Sequence, residues 1–249
     1  MLLAIDIGNT CVDLGLFVDG DLVRHQKYRS GPPDDTKLSR LLAPLAPPLI
    51  GVAIGSVVAE LGEAYETACR AHTRGPVLQI QGSWDWGLQI DYDDPNHVGV
   101  DRLAAATAAH EMAAAGQAAI IADAGTALTV DAVDAKGVFR GGAIAPGLHL
   151  GLNALSAGTS LLPQIELDPT APLLGKNTAA GLRSGALHGS AALVEGLCAR
   201  MAAELDEPTA VFLTGGDSPL LHPHIPGVDT CDPALVLRGL ALAYNRRTS

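Results

Sequence analysis

Two stretches of this chain share one plan of apolar and polar positions: Leu3-Ala4-Ile5-Asp6-Ile7-Gly8-Asn9-Thr10, and Ile120-Ile121-Ala122-Asp123-Ala124-Gly125-Thr126. In each, a short apolar run meets an aspartate, a glycine follows two residues later, and threonine comes next or next but one. A second run rich in apolar and β-branched residues then leads to a turn, at Asp19-Gly20-Asp21 and at Ala135-Lys136-Gly137. A short apolar run bounded by turn signals predicts a buried strand, and a glycine-centred break between two such runs predicts a β-hairpin. Two hairpins about half a chain apart predict two related α/β halves, residues 1–116 and 117–249.

Between the hairpins, residues 35–45 predict a short helix capped by Asp35 or Thr36 and ended by Pro47-Pro48. Residues 49–58 predict a buried strand, 60–73 an amphipathic helix and 77–80 a short strand. The first half thus reads strand, strand, helix, strand, helix, strand. The polar segment 84–97 carries Trp84 and Trp86, with Asp91, Asp93 and Asp94 around Tyr92, and has the character of a binding loop. Residues 100–115 predict a helix with alanine on most faces, which implies close packing against a large neighbour.

Beyond the second hairpin, the run from Gly141 to Gly147 reads as a glycine-rich turn opening a helix at Leu148, and 162–172 as an extended connection. The longest predicted helix spans 178–205, with Gly181, Gly185 and Gly189 at every fourth position. Each glycine costs the helix roughly 1 kcal/mol unless something packs on it, so the ridge predicts a close neighbour. Residues 210–217 predict a strand ending in a glycine turn, and Asp232-Pro233 is placed to cap a last helix with its core at 235–244.

The 249 residues are 48% hydrophobic, enough for one domain or two with substantial cores. A net charge of −11 argues against nucleic-acid and anionic-membrane partners and for a small ligand. The first residues lack a basic leader and no run is long enough to span a bilayer, so the expected location is cytoplasmic. Cys11, Cys69, Cys198 and Cys231 have neither zinc-site nor disulfide-framework spacing and read as reduced thiols.

A glycine turn lets phosphate approach backbone N–H groups, a threonine hydroxyl adds a donor, and a nearby carboxylate can hold Mg²⁺ through water. The hairpins therefore suggest a nucleotide site. Other phosphate and metal signatures fail: Gly175-Lys176-Asn177-Thr178 lacks the earlier glycine of a phosphate loop, His110-Glu111 lacks a second histidine, and His222-Pro223-His224 stands alone. Asp6, Asp101 and Asp123 remain as carboxylates close to glycines at the ends of elements. Asp101 suits a general base and Arg102 a clamp on a substrate carboxylate, although the pair also reads as a first-turn helix acid and a surface charge.

Taken together, Asp6-Ile7-Gly8-Asn9-Thr10, Tyr92 with Gly99-Val100-Asp101-Arg102, Asp123-Ala124-Gly125-Thr126-Ala127, the run Gly141–Leu148 and Thr214-Gly215-Gly216-Asp217 closely resemble type III pantothenate kinase over nearly the whole chain. The resemblance implies two ribonuclease H-like domains of the sugar kinase, heat-shock chaperone and actin superfamily, with a nucleotide cleft between them. It implies ATP-dependent phosphorylation of pantothenate to 4′-phosphopantothenate, the first step toward coenzyme A. By position it makes Asp6, Ile7, Gly8, Asn9, Thr10, Cys11, Val12 and Asp13 the first phosphate loop, and Thr126 a further ATP contact. Tyr92, Gly99, Val100, Asp101 and Arg102 would meet pantothenate, Asp101 as proton acceptor, with Thr178 supplied across a homodimer. Asp123 would hold a monovalent cation, K⁺ or NH₄⁺, and Asp6 would hold Mg²⁺ through water. Two alternatives use the same residues: a nucleotide-sensing regulator of this fold without kinase activity, and a kinase for another small hydroxylated substrate.

Overall fold

The computed structural model describes residues 1–42 and 48–248. In chain order the elements are β1 (Leu2–Ile7), β2 (Cys11–Val18), β3 (Asp21–Arg29), α1 (Asp35–Leu42), β4 (Gly51–Ser56), α2 (Ala59–Arg70), β5 (Val77–Gln79), β6 (Gln89–Ile90), α3 (Val100–Met112), β7 (Ala118–Ala124), β8 (Ala127–Val133) and β9 (Val138–Pro146). There follow α4 (Leu148–Gly158), α5 (Thr178–Ser184), α6 (Ser190–Leu205), β10 (Thr209–Thr214), α7 (Ser218–Leu221), β11 (Thr230–Cys231) and α8 (Leu235–Thr248). They form two compact units, Met1–Met112 with Ala234–Ser249, and Ala113–Pro233.

In the first unit the strand order is β3-β2-β1-β4-β5. The expected hairpin is present as antiparallel β1 and β2, while β4 runs parallel to β1. Alternation along the strands divides the sheet into two faces. Leu3, Ile5, Ile7, Leu14 and Ile54 bury one face against Leu38 and Leu41 of α1 and Tyr65 and Cys69 of α2.

The opposite face is kept small so that helices can lie close to it. A Cβ at Gly51 would stand 1.7 Å from the Tyr244 hydroxyl, and one at Gly55 would stand 2.8 Å from Leu240 and 3.3 Å from Val100. Those contacts seat α8 and the start of α3 directly on the strands. Where α3 and α8 meet, a Cβ at Gly239 would stand 1.8 Å from the Ala104 carbonyl oxygen. The alanine-rich α3 is explained by this close contact: Ala104, Ala105, Ala106, Ala108 and Ala109 are all buried.

Several expectations need correction. Strand β3 was not anticipated, because its Arg24-His25-Gln26-Lys27-Tyr28-Arg29 is a polar edge sequence that carries little apolar signal. The cap of α1 is Asp34, whose carboxylate accepts the Thr36 N–H at 2.9 Å, rather than Asp35 or Thr36. Residues 43–45, where that helix was expected to continue, lie outside the described residues. The last helix begins at Leu235, with Arg238 N–H bonding Ala234 O. That helix also belongs to the first unit, and the division falls after Met112 rather than at 116, because Leu237, Gly239 and Leu240 find their partners on β2, α3 and β4.

In the second unit β7 pairs antiparallel with β8 and β8 with β9, while β10 is parallel to β7 and β11 to β10. Ile120, Ala122, Leu128 and Val130 form the core with Leu148, Leu187, Val194 and Cys198. Gly141 to Pro146 are strand, not turn: a Cβ at Gly142 would stand 2.1 Å from Val130 O, so the glycine serves a tight ladder, and only Gly147 precedes the helix at Leu148.

The long helix expected over 178–205 is continuous, as α5, a π-helical segment Gly185–Gly189 and α6. No neighbouring atom lies within 4 Å of a Cβ built at Gly181, Gly185 or Gly189. At Gly181 the chain does come close, since a Cβ at Gly175 would stand 2.4 Å from Gly181 N, but at Gly185 and Gly189 the close neighbour that the ridge predicts is not found among the described residues. Four free cysteines agree with the reduced-thiol reading, and burial pushes the thiols of Cys69 and Cys198 up to about 12 and about 11. No helix among the described residues is long and apolar enough to cross a membrane.

Candidate active site

The ladder register of the first unit sets a row of residues across the face that carries α8 and the start of α3. Asp6 pairs with Asp13 and with Gly55, and Asp13 pairs with Lys27, so the row runs Gly55, Asp6, Asp13, Lys27. Directly paired residues share a face with Cβ atoms about 5 Å apart. Val100 touches the sheet at Gly55, which brings the first turn of α3, and Asp101 with it, to the face that bears Asp6.

The turn between β1 and β2 is closed by Gly8 N–H bonding Cys11 O at 2.9 Å. That donor is used within the turn. The end of β3 is fastened to the same turn: Ser30 N–H bonds Thr10 O at 2.8 Å and the Ser30 hydroxyl donates to Gly8 O. Asn9 and Thr10 are exposed at the tip, and Cys11 is half-buried. Ile7 and Val12 point into the core at 0% exposure, so only their backbone can face a ligand.

Asp13 is nearly buried, and its two oxygens are taken by His25 Nε2 at 2.8 Å and Lys27 Nζ at 2.7 Å. Burial alone would pull the Lys27 pKa down, but the bond to Asp13 and the charges of Asp13, Cys11 and Asp6 leave it raised, so the ammonium keeps its charge.

At the start of α3, Leu103 N–H bonds Gly99 O at 3.1 Å. The Asp101 carboxylate accepts the Arg102 N–H at 2.9 Å. A Cβ at Gly99 would stand 2.4 Å from the same carboxylate oxygen, so glycine here gives the carboxylate its room. The Arg102 guanidinium carbon is 5.9 Å from the centre of the Tyr92 ring, a cation–π distance that brings Tyr92 and Arg102 together. Trp86 instead is core: its carbonyl accepts from Thr107 Oγ1 at 3.1 Å and from Arg246 Nη1 at 2.8 Å, and its indole N–H bonds Gly82 O. The loop over 84–97 is thus anchored by Trp86, and Tyr92 is its exposed aromatic.

In the second unit the turn at Gly125-Thr126 is enclosed by two other glycine turns. Gly147 N–H bonds Thr126 O at 3.0 Å, and a Cβ at Gly147 would stand 2.1 Å from Gly125 O. Gly215 has φ +93, a backbone conformation suited to glycine, and a Cβ there would stand 2.3 Å from Asp123 Oδ1. Thr214 lies beside Asp123 in the parallel ladder, fully buried, and its hydroxyl has no hydrogen-bond partner among the described residues. A carboxylate and an unused buried hydroxyl are the hard oxygen donors that a small cation takes.

Thr178 is the exposed first residue of α5, capped by Asn177 Oδ1, which accepts the Ala180 N–H at 2.9 Å. The preceding Gly175 packs on the backbone of Gly181, so the phosphate-loop lookalike at 175–178 is a helix lead-in. No set of three metal-binding side chains occurs among the described residues, and His224 stacks edge-on against His188 instead. Sequence reading assigns no role to Lys27 or Ser30, and includes Thr214 only as part of the motif Thr214-Gly215-Gly216-Asp217. For Lys27 a signal existed, since His25, Lys27 and Arg29 alternate along one strand.

The family model of type III pantothenate kinase matches residues 2–200. A type III pantothenate kinase from Moorella thermoacetica is 36% identical over 256 residues, covering 100% of both chains. Among solved structures, a protein from Campylobacter jejuni assigned to the Baf family of transcriptional activators is similar with TM-score 0.62 at 17% identity, covering 99% of this chain and 98% of that one. A candidate 2-dehydro-3-deoxygalactonokinase from Sinorhizobium meliloti has TM-score 0.61 at 13% identity, with 99% of both chains covered. At these identities the structural likenesses show the fold alone, the α/β arrangement with two mixed sheets that this chain shares with sugar kinases.

Proposed function

We propose a division of labour among the residues of this chain, which belongs to the type III pantothenate kinase family and is therefore an ATP-dependent pantothenate kinase. Its reaction is phosphorylation of pantothenate to 4′-phosphopantothenate, the first step toward coenzyme A. In our reading the substrate hydroxyl attacks the γ-phosphorus of ATP while Asp101 accepts its proton, and Arg102 and Tyr92 hold the pantothenate end of the reaction. The observation that carries this is the start of α3: Gly99 makes room for the Asp101 carboxylate, Arg102 meets Tyr92, and Val100 rests on the sheet at Gly55, next to Asp6 in the ladder. Replacement of Asp101 tests it, as argued in the Discussion.

The triphosphate is assigned to the turn over Gly8–Cys11, with Thr126 as a further contact. Phosphoryl transfer asks the protein chiefly for positioning and electrostatic support. Mg²⁺, when bound, supplies positive charge to the triphosphate, and Asp6, at the end of β1 beside the turn, is the residue that would hold it through water. Asp123 and Thr214 would hold a monovalent cation, K⁺ or NH₄⁺, and the unused Thr214 hydroxyl is what supports that assignment. Activity should accordingly be lost when bulky organic cations replace K⁺ and NH₄⁺ with Mg²⁺ still present, and Thr214→Val should raise the K⁺ concentration needed for half-maximal rate. Full activity without a small monovalent cation would remove this part of the proposal.

A cytoplasmic homodimer without nucleic-acid or membrane partners completes the reading, with Thr178 serving the substrate site of the second copy. Support comes from the open positions Gly185 and Gly189, and from exposed Leu155, Leu161, Leu173, Leu174 and Leu193 in the same unit. Gly185→Leu should convert a dimer into a species at the 25.5 kDa monomer mass in light scattering while circular dichroism stays unchanged. A wild-type chain that already runs as a monomer would defeat the assignment. The regulator alternative has no separate observation in its favour, since the likeness to the Campylobacter jejuni protein shows the fold alone.

A further inference from the structure

We propose that Lys27 on β3, held in place by Asp13, is a further phosphate-binding residue of the ATP site. The inference rests on the assignment of the triphosphate to the turn over Gly8–Cys11.

Three observations carry it. First, the register places Lys27 in one row with Asp6 and Asp13, on the face that receives the start of α3. Second, β3 alternates His25, Lys27 and Arg29 opposite Gly15, Asp13 and Cys11, which makes a basic stripe on the same face in a chain of net charge −11. Ser30, the next residue, fastens the end of this stripe to the phosphate turn itself. Third, the Lys27 side chain keeps 41% exposure although its ammonium bonds a carboxylate that is only 12% exposed. An ammonium has three donors, and Asp13 takes one of them.

Asp13 then has a stated task. A long lysine side chain loses rotamer freedom when it is fixed, and an anchoring carboxylate meets that cost before the ligand arrives. Asp13 also keeps a second contact to His25, so it stays hydrogen-bonded when Lys27 turns one of its protons toward a phosphate oxygen.

The test is steady-state kinetics on the full chain with Mg²⁺·ATP and pantothenate, using Lys27→Met, Lys27→Arg, the double variant Asp13→Asn with Lys27→Met, and Gly8→Val. A hydrogen bond to a charged group corresponds to about 10- to 100-fold in binding, so Lys27→Met should lower kcat/KM for ATP by about that factor and leave the pantothenate KM unchanged. Lys27→Arg should recover most of the loss, and the double variant should stay as low as Lys27→Met. Recovery in the double variant would overturn the proposal, because it would mean that Lys27 only neutralises Asp13. Wild-type kinetics for Lys27→Met while Gly8→Val loses ATP would overturn it for Lys27 alone. If Gly8→Val also left the ATP KM untouched, the placement of the triphosphate at this turn would fall with it. Thermal melts of each variant, with Lys27→Gln replacing any methionine variant that does not fold, keep loss of folding distinct from loss of binding.

Discussion

Asp101→Asn should lower kcat by about 10² to 10⁴, the usual worth of a general base, while the KM for ATP changes little. Asparagine keeps the size of the side chain, and its amide oxygen can still accept the Arg102 N–H that Asp101 accepts at 2.9 Å. The start of α3 is therefore expected to stay intact, so that the variant reports on proton transfer rather than on folding. Arg102→Gln serves as the contrast: it should raise the pantothenate KM more than it lowers kcat, since it removes the cation that meets Tyr92 and is offered to the substrate carboxylate. Near-normal kcat for Asp101→Asn would place the base elsewhere, and our assignment of the reaction to this helix start would be wrong.

Gly239→Val should destabilise the first unit by at least about 3 kcal/mol, because overpacking against well-packed neighbours typically costs 1–3 kcal/mol and the clash here is with backbone. The added Cβ would stand 1.8 Å from Ala104 O and 2.3 Å from Ala104 C, groups that cannot rotate away. Helices α3 and α8 must then separate. For a chain of this size the melting temperature should fall by about 6–12 °C in calorimetry. Gly151→Ala is the matching control, a helical glycine with nothing within 4 Å, and should be neutral or slightly stabilising. A Gly239→Val protein that melts with the wild type would show that the contact between α3 and α8 is looser than described.

Both hairpins, the buried strands around them, the long helix from Thr178 and the start of α3 at Val100 were legible in the sequence. Their signals are local: an apolar run that stops at Asp-x-Gly, and a helical period. The residues that the family resemblance singles out could be named for the same reason, since they lie in short contiguous motifs. Edge strand β3 was not legible. Its polar alternation stabilises a strand only once β2 lies alongside, so the alternation of His25, Lys27 and Arg29 is a weak signal when residues 21–29 are taken alone.

What the sequence determined by itself, then, is the set of elements whose apolar pattern must be buried somewhere, together with the motifs at their ends. The tertiary structure decided which elements share a core and which side chains share a face. It assigned α8 to the first unit through Gly239 and Leu240, aligned Asp6, Asp13 and Lys27 across three strands, and set the unpartnered Thr214 hydroxyl beside Asp123. The physical reason is that register and helix contact join residues far apart in the chain, and the energy of each pairing exists only after both partners have been brought together.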